Sequence, residues 1–303
     1  MTSLAVPPVV ATLLALGASW HATLELFCHF RVQYVFALLP VLTYQLWARA
    51  YRLALPVATA IAVNCGWLVP LFVAEPSTVR CPSKPLTAVV ANVLHTGGEP
   101  DRVAAFIAKH DPDVMALLEV DSRWLERLGA VLDAYPHRVE RPRADDFGIA
   151  VYSRVPFVDT EVLRFPPLLL PTISVRLESG LTVVATHPLP PSTVSNSVAR
   201  NRQLLGIAAR AAKTDGPLMV LGDLNTTPFS PSFFEVLRQG RLRDSARGYG
   251  FSPTWPVSFP PLWIPIDHAL YSDRVEILDR RVGEDLGSDH YPLVVEFRHE
   301  RGP

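Results

Sequence analysis

The chain has 303 residues, 49% of them hydrophobic, and a formal net charge of −1 at neutral pH. That length suits one sizeable domain plus a smaller unit, and the charge balance argues against a protein built around a nucleic-acid backbone, although a local basic groove is compatible with it. Three cysteines, Cys28, Cys65 and Cys81, form no disulfide framework, and the sequence has no Walker loop, dinucleotide fingerprint, repeat or low-complexity tract.

The first 75 residues set themselves apart. No Asp, Glu, Lys or Arg occurs from Met1 to Leu24, between Arg31 and Arg49, or between Arg52 and Glu75. Each window approaches or exceeds the about 20 apolar residues that cross a hydrocarbon core as a helix, so about three transmembrane helices are expected within 1–75. The middle window is the shortest and carries Pro40, which leaves a re-entrant or buried segment as its alternative. A cleaved signal peptide is disfavoured because no basic region precedes the first window and further apolar windows follow. Arg49 and Arg52 flank the loop between the second and third windows, which the positive-inside rule assigns to the cytoplasm. The remainder then faces the cell exterior or periplasm, as the catalytic part of a multi-pass protein of the cytoplasmic membrane. Residues 76–85 read as a tether, and 86–303 as the catalytic domain.

From Leu86 onward, apolar β-branched runs alternate with turns. Strands are expected at Leu86–Val93, Asp113–Val120, Gly148–Arg154, Thr172–Glu178, Leu181–His187, Pro217–Asn225, Ile266–Ser272 and Tyr291–Phe297. Helical spacing falls at Glu99–His110, Val198–Lys213 and Pro231–Arg238, the last with Ser230 as N-cap and Pro231 at the first helical position. Six polar signatures are each read as closing an apolar strand-like run: Asn92, Glu119, His187, Asp223 with Asn225, Asp267 with His268, and Asp289 with His290. Carboxylates and imidazoles at the ends of buried strands imply convergence on one rim of a layered α/β domain.

The motifs ANV, LLEV, ATHPLPP, GDLNTTP, PIDHALYS and GSDHYPLVVEF, in that order between Leu86 and Phe297, resemble those of the endonuclease/exonuclease/phosphatase superfamily. The resemblance implies its fold, a DNase I-like four-layer αββα sandwich, here preceded by the apolar windows. It also implies His187 as a phosphate-binding or leaving-group residue and Asp289 as a carboxylate behind the site or on a second metal. Asp146, otherwise one of a solvated turn pair with Asp145, becomes a candidate substrate contact. The windows together with Gly222–His290 most resemble bacterial membrane-anchored members, among them a teicoplanin-resistance protein. A lipid-linked phosphate or pyrophosphate of the cell envelope is then the expected substrate.

The chemistry follows from the residues themselves. Mg2+, or Mn2+ in its place, prefers oxygen ligands and keeps several waters, so Glu119 with Asn92 beside it is the expected metal site. Hydrolysis of a phosphoester needs an in-line water and charge neutralisation. Asp223 is placed to orient or deprotonate that water, and Asn225, two residues on, faces the same side if the strand continues. His290 is expected to contact the phosphoryl group or share the water, with Asp267 fixing its tautomer. Either Asp223 or His290 can serve as the base. His268 points to the opposite face of its strand and reads as packed; histidines 21, 29, 95, 110, 137 and 299 show no ligand spacing.

Two Pro-aromatic segments, Phe165–Pro171 and Trp255–Pro265, separate the chain from a nuclease. The second runs into Asp267, so Trp255 and Trp263 are expected at the rim as substrate contacts, bordering it toward a bilayer. Packing over a sheet edge is the alternative. Nucleic acid is the alternative substrate, and a non-catalytic envelope sensor the alternative of another class. Retention of Asp267, Asp289 and His290 with Glu119 argues against the sensor.

Overall fold

The computed structural model describes residues 2–75 and 83–301. It opens with helices α1 (Val6–Leu16), α2 (Ala22–Glu25), α3 (Arg31–Trp47) and α4 (Tyr51–Phe72). Of these, α4 is long and apolar enough to cross a membrane, and only 22% of its apolar window is buried within the molecule. Ala22–Cys28 and Arg31–Trp47 make a second candidate only as one span bent by 58°, and Ser3–Leu16 is shorter still. The first expected window is thus interrupted at residues 17–21, where Gly17 ends α1 and the His21 side chain caps α2. Most of the expected tether lies outside the described residues.

The catalytic part begins with β1 (Leu86–Asn92), α5 (Pro100–His110), β2 (Val114–Leu118), α6 (Ser122–Leu132), β3 (His137–Arg141) and β4 (Ile149–Ser153). A second set follows: β5 (Phe157–Arg164), β6 (Pro171–Leu177), β7 (Thr182–Thr186), α7 (Val194–Ala211), β8 (Leu218–Asp223), α8 (Pro231–Gly240), β9 (Leu242–Asp244) and β10 (Asp267–Ser272). The last strands, β11 (Val275–Val282) and β12 (Leu293–His299), return to the first sheet. Two six-stranded mixed sheets result, in the orders β11-β12-β1-β2-β4-β3 and β5-β6-β7-β8-β10-β9.

Period-2 patterning explains the layering. In β1, Ala88 and Val90 face the second sheet, where Val183, Ala185, Met219 and Leu221 meet them. Val89 and Ala91 face outward and pack under Val103, Phe106 and Ile107 of α5. The second sheet does the same with Val184 and Val220 beneath Leu204 of α7 and Phe233 of α8. This is the expected αββα order. Helix α6 and strands β3, β5, β9 and β11 were not expected from the sequence; the α6 signal was present, since Asp121 accepts from the Trp124 N–H at 2.8 Å and Trp124, Leu128 and Leu132 recur at i, i+4.

The α1–α4 segment is docked on the second sheet's helices. Arg200 of α7 donates through Nη2 to both Glu25 oxygens at 2.8 Å, and Glu25 also accepts from Ser230 and Ser232. At the other end, the Leu71 carbonyl accepts from the Gly248 and Gly250 N–H groups at 2.9 and 2.8 Å.

Gly222 marks a point where two strands leave no room for a side chain. A Cβ there would lie 2.0 Å from the Thr186 carbonyl oxygen of β7. Gly222→Ala is therefore expected to cost about 1–3 kcal/mol through overpacking, read as a lower thermal midpoint of the purified protein. An unchanged midpoint would mean that β7 and β8 part freely at this position.

Candidate active site

The acidic, amide and imidazole residues of the site reach one rim, but by two routes. Asn92 ends β1, Glu119 follows β2, His187 follows β7 and Asp223 ends β8. Asp267 instead opens β10, directly opposite Asp223 in the antiparallel register, and Asp289 with His290 precedes β12, which runs antiparallel to β1. The expectation that every signature closes a strand is corrected accordingly: antiparallel strands deliver their first residues to the rim where parallel ones deliver their last.

Asp223, Asp267 and His290 lie close enough for one oxygen or nitrogen of each to fall within 4.8 Å of the others. His290 Nδ1 is 2.8 Å from Asp267 Oδ2, the pairing expected from sequence. Its Nε2 is 3.7 Å from Asp223 Oδ2, and His187 Nε2 approaches the same oxygen at 3.4 Å. The position of Asp267 is fixed from behind: Thr254 Oγ1 accepts from the Ile266 and Asp267 N–H groups at 3.2 Å each.

Electrostatics divide these groups. Burial alone would hold His290 down, but the charge and hydrogen bond of Asp267, with Asp223 and Asp289 nearby, raise its pKa to about 10. His187 is likewise opposed by burial and raised by its hydrogen bond to Asp223 and by the Asp223 and Glu119 charges. Burial pushes the Asp223 carboxyl up, yet the His187 hydrogen bond and the two imidazoles bring it below the usual carboxylate range. At neutral pH His290 is an imidazolium and Asp223 a carboxylate.

Glu119 sits beside this group. Its carboxylate accepts from Asn92 Nδ2 at 2.8 Å and from the His95 N–H at 3.1 Å, and its backbone is left-handed, with φ 63°. Asn92 Oδ1 accepts from the Leu94 N–H at 3.1 Å. Asp289 receives the Trp255 indole N–H on Oδ2 at 3.0 Å, while its buried Oδ1 has no partner among the described residues. Glu119, Asn92 and Asp289 thus present oxygen donors, one of them an unpartnered buried carboxylate oxygen, as a hard divalent cation requires. Both His290 nitrogens face carboxylates, so the residues around Asp267 fit a hydrogen-bonded relay better than a set of ligands for such an ion.

Glu119, Asp146, His187, Asp223, Asn225, Trp255, Asp289 and His290 line one cleft of about 550 Å³. Two expectations are amended. The strand does not continue to Asn225, which turns into the cleft with φ 50°; its N–H bonds Asp223 Oδ1 at 2.8 Å and its amide already donates to the Pro188 carbonyl at 2.9 Å. Trp263 is not among the lining residues: its ring packs edge-on against Tyr291 at 6.4 Å. Sequence reasoning missed Leu26, His29 and Phe30, which enter the cleft from the N-terminal segment, and Ser288, which donates to the Asn92 carbonyl at 2.8 Å and accepts from the His290 N–H at 3.1 Å. His268 is packed, as expected, with Nε2 at 2.8 Å from the Thr226 carbonyl.

A rim of paired carboxylates and imidazoles beside a hard-cation oxygen set, on two facing sheets, defines a metal-dependent phosphoesterase. Residues 89–290 match the sequence profile described as the Endonuclease/Exonuclease/phosphatase family, and the chain belongs to that family. It is a hydrolase working with Mg2+ or Mn2+. Similar solved structures include an endonuclease/exonuclease/phosphatase from Beutenbergia cavernae, 22% identical, TM-score 0.58, with 72% of each chain covered. TDP2 from D. rerio complexed with a single-strand DNA product is 18% identical at TM-score 0.60, over 71% of this chain and 100% of that one. The 3' phosphatase NExo from Neisseria, bound to a product DNA hairpin, is 18% identical at TM-score 0.58, over 70% and 99%. No curated protein sequence matches the chain.

Because Asp267 and His290 share one short hydrogen bond, they should act as a unit. The double variant Asp267→Asn/His290→Ala is expected to lose little more kcat than the worse single variant. Losses that multiply in full would assign the two residues separate tasks.

Proposed function

We propose that the protein is a membrane-anchored hydrolase of a lipid-linked phosphate or pyrophosphate of the cell envelope, with its catalytic layers outside the cytoplasmic membrane. The observation carrying this reading is the mixed lining of the cleft. Charged and polar Glu119, Asp223, Asp289 and His290 share it with apolar Leu26, Phe30, Pro190, Pro191, Ile264 and Ile266. A phosphate joined to an apolar chain matches both sets of residues, whereas a polyanion matches only the first.

The N-terminal helices support the anchoring. Leu13, Phe36, Leu39, Trp47, Leu53, Leu55, Val69 and Phe72 are exposed along them, large apolar side chains of a kind that membranes cover. Helices α3 and α4 form a hairpin with Arg49 in its turn and Arg52 in the first turn of α4, while the start of α3 and the end of α4 meet the catalytic layers. With the arginines inside, those layers lie outside. Phe259 and Leu262, 52% and 41% exposed in the loop that runs into Asp267, extend the apolar surface toward the cleft.

In this reading Glu119, Asn92 and Asp289 hold the cation, which when bound neutralises charge on the phosphate oxygens. Asp223 orients the attacking water and accepts its proton. His290, kept cationic by Asp267, donates to the phosphoryl group as negative charge develops, and His187 stands by the same carboxylate to bind phosphate or protonate the leaving oxygen. Asp146, 66% exposed at its side chain and 3.5 Å from His95 Nδ1, and Trp255 border the substrate. A nuclease is the competing reading, favoured by the relatives that hold DNA. Against it, residues from position 80 onward carry 25 basic and 27 acidic side chains, a poor match to a polyanion.

Two experiments test this. Glu119→Gln should weaken Mn2+ binding measured by calorimetry and cut phosphate release by about 100-fold or more, since a neutral amide is a poor ligand for a hard ion; unchanged binding removes Glu119 from the metal site. Phe259→Ser with Leu262→Ser should impair hydrolysis of undecaprenyl pyrophosphate in vesicles while sparing a short soluble phosphoester, because each apolar side chain entering the interface contributes roughly 1.5–3 kcal/mol. Efficient cleavage of DNA with lipid substrates untouched would replace this reading with the nuclease.

A further inference from the structure

The N-terminal segment does more than anchor the chain; it supplies part of the cleft wall. Glu25 is 4% exposed and is held by Arg200, whose Nη1 donates at 2.8 Å to the carbonyl of Asn225, itself a cleft residue. Four residues on, His29 lies with its Nδ1 2.9 Å from the hydroxyl of Thr227, in the GDLNTTP motif. Its Nε2 is buried and has no hydrogen-bond partner among the described residues, and the side chain lines the cleft alongside His187, Asp223 and His290.

We infer that His29 is a substrate-binding residue, donating its Nε2–H to a phosphate oxygen of the substrate. Buried ring nitrogens seldom go unpaired, and one in the wall of a phosphoester cleft is satisfied when a ligand brings an acceptor. The Thr227 contact accommodates the required tautomer: with its hydroxyl donating to Nδ1, the proton sits on Nε2. The donor comes from outside residues 89–290, the extent of the family match, so the catalytic layers alone carry an incomplete site. The same segment delivers Leu26 and Phe30, so the phosphate donor and the apolar wall arrive together.

This inference rests on the cleft being the phosphoester site, and its test separates the two. The full chain in detergent is assayed with bis-p-nitrophenyl phosphate and with undecaprenyl pyrophosphate, and inorganic phosphate is used as competitor and as a calorimetric ligand. His29→Ala should raise the phosphate inhibition and dissociation constants about tenfold and raise KM on whichever substrate is turned over, with kcat altered by less than about threefold, the size of one lost hydrogen bond to a charged group. His29→Gln, whose amide nitrogen reaches toward the Nε2 position, should recover most of that affinity. Thr227→Val, which frees the tautomer, should fall between.

Unchanged phosphate affinity in His29→Ala overturns the inference. So does an equal loss in the Ala and Gln variants with a lowered thermal midpoint, which would make His29 a structural contact. If the wild type binds phosphate through His29 yet hydrolyses neither ester, the inference stands and the proposed hydrolase function fails.

Discussion

The structure depends on four ionisable side chains buried against one another. Asp223, Asp267, His187 and His290 are each 5% exposed or less. An isolated carboxylate at such depth would take up a proton rather than stay charged, and an isolated imidazolium would lose one. Here each sign compensates the other: Asp223 stands between two imidazoles and His290 between two carboxylates. Asp223 is thereby held below and His290 above its ordinary range at a depth where screening is weak, which is the condition under which small displacements of a phosphoryl group meet large fields. The antiparallel pairing that sets Asp267 across from Asp223 is therefore as much a part of the chemistry as the side chains.

A second buried pair ties the apolar N-terminal segment to this centre. Arg200 is fully buried, and its guanidinium meets the Glu25 carboxylate, the Asn225 carbonyl and Asn201 Oδ1. A buried ion pair is weak evidence for stability, because desolvation offsets much of the attraction. It is a strong constraint on register, since loss of either partner leaves an uncompensated charge at a cost of about 3–5 kcal/mol. The segment can thus dock in one way, and that way brings Leu26, His29 and Phe30 into the cleft. The N-terminal segment and the cleft are joined at the position where the chain after β8 leaves strand geometry.

The four strands that sequence patterning failed to reveal are the four sheet edges. β3 and β11 flank the first sheet, β5 and β9 the second. Interior strands are covered on both faces and read as apolar runs; β5, by contrast, has Val158, Asp159, Thr160 and Glu161 exposed in succession, and β3 reads His-Arg-Val-Glu-Arg. An edge strand holds its place through one ladder of backbone hydrogen bonds, and charged side chains protect its open side, so hydrophobic period is the wrong signal for it. The convergence of polar residues on one rim was legible in the same patterning. Asn92, Glu119, His187, Asp223, Asp267, Asp289 and His290 follow from polar residues set against apolar strands, whereas His29 lies upstream in an apolar stretch where no ligand spacing marks it. Trp263 misled because composition places a tryptophan near a rim without saying which way its ring turns.

Of the seven non-glycine residues with positive φ among the described residues, two belong to the candidate site. Glu119 and Asn225 adopt φ 63° and 50°, one and two residues beyond the ends of β2 and β8. Such conformations cost of order 1–3 kcal/mol and persist only where the surroundings over-determine them. At Glu119 the carboxylate's two acceptances, from Asn92 and from the His95 N–H, bind it to the loop after β1. At Asn225 the Asp223 carboxylate, the Pro188 carbonyl and Arg200 each hold a different atom. The Glu119 contacts come from β1 and its loop within the first sheet, whereas Asn225 is held from the second sheet and from α7 above it. The site's geometry is accordingly a property of the whole αββα assembly together with its N-terminal segment, and no single strand end could maintain it.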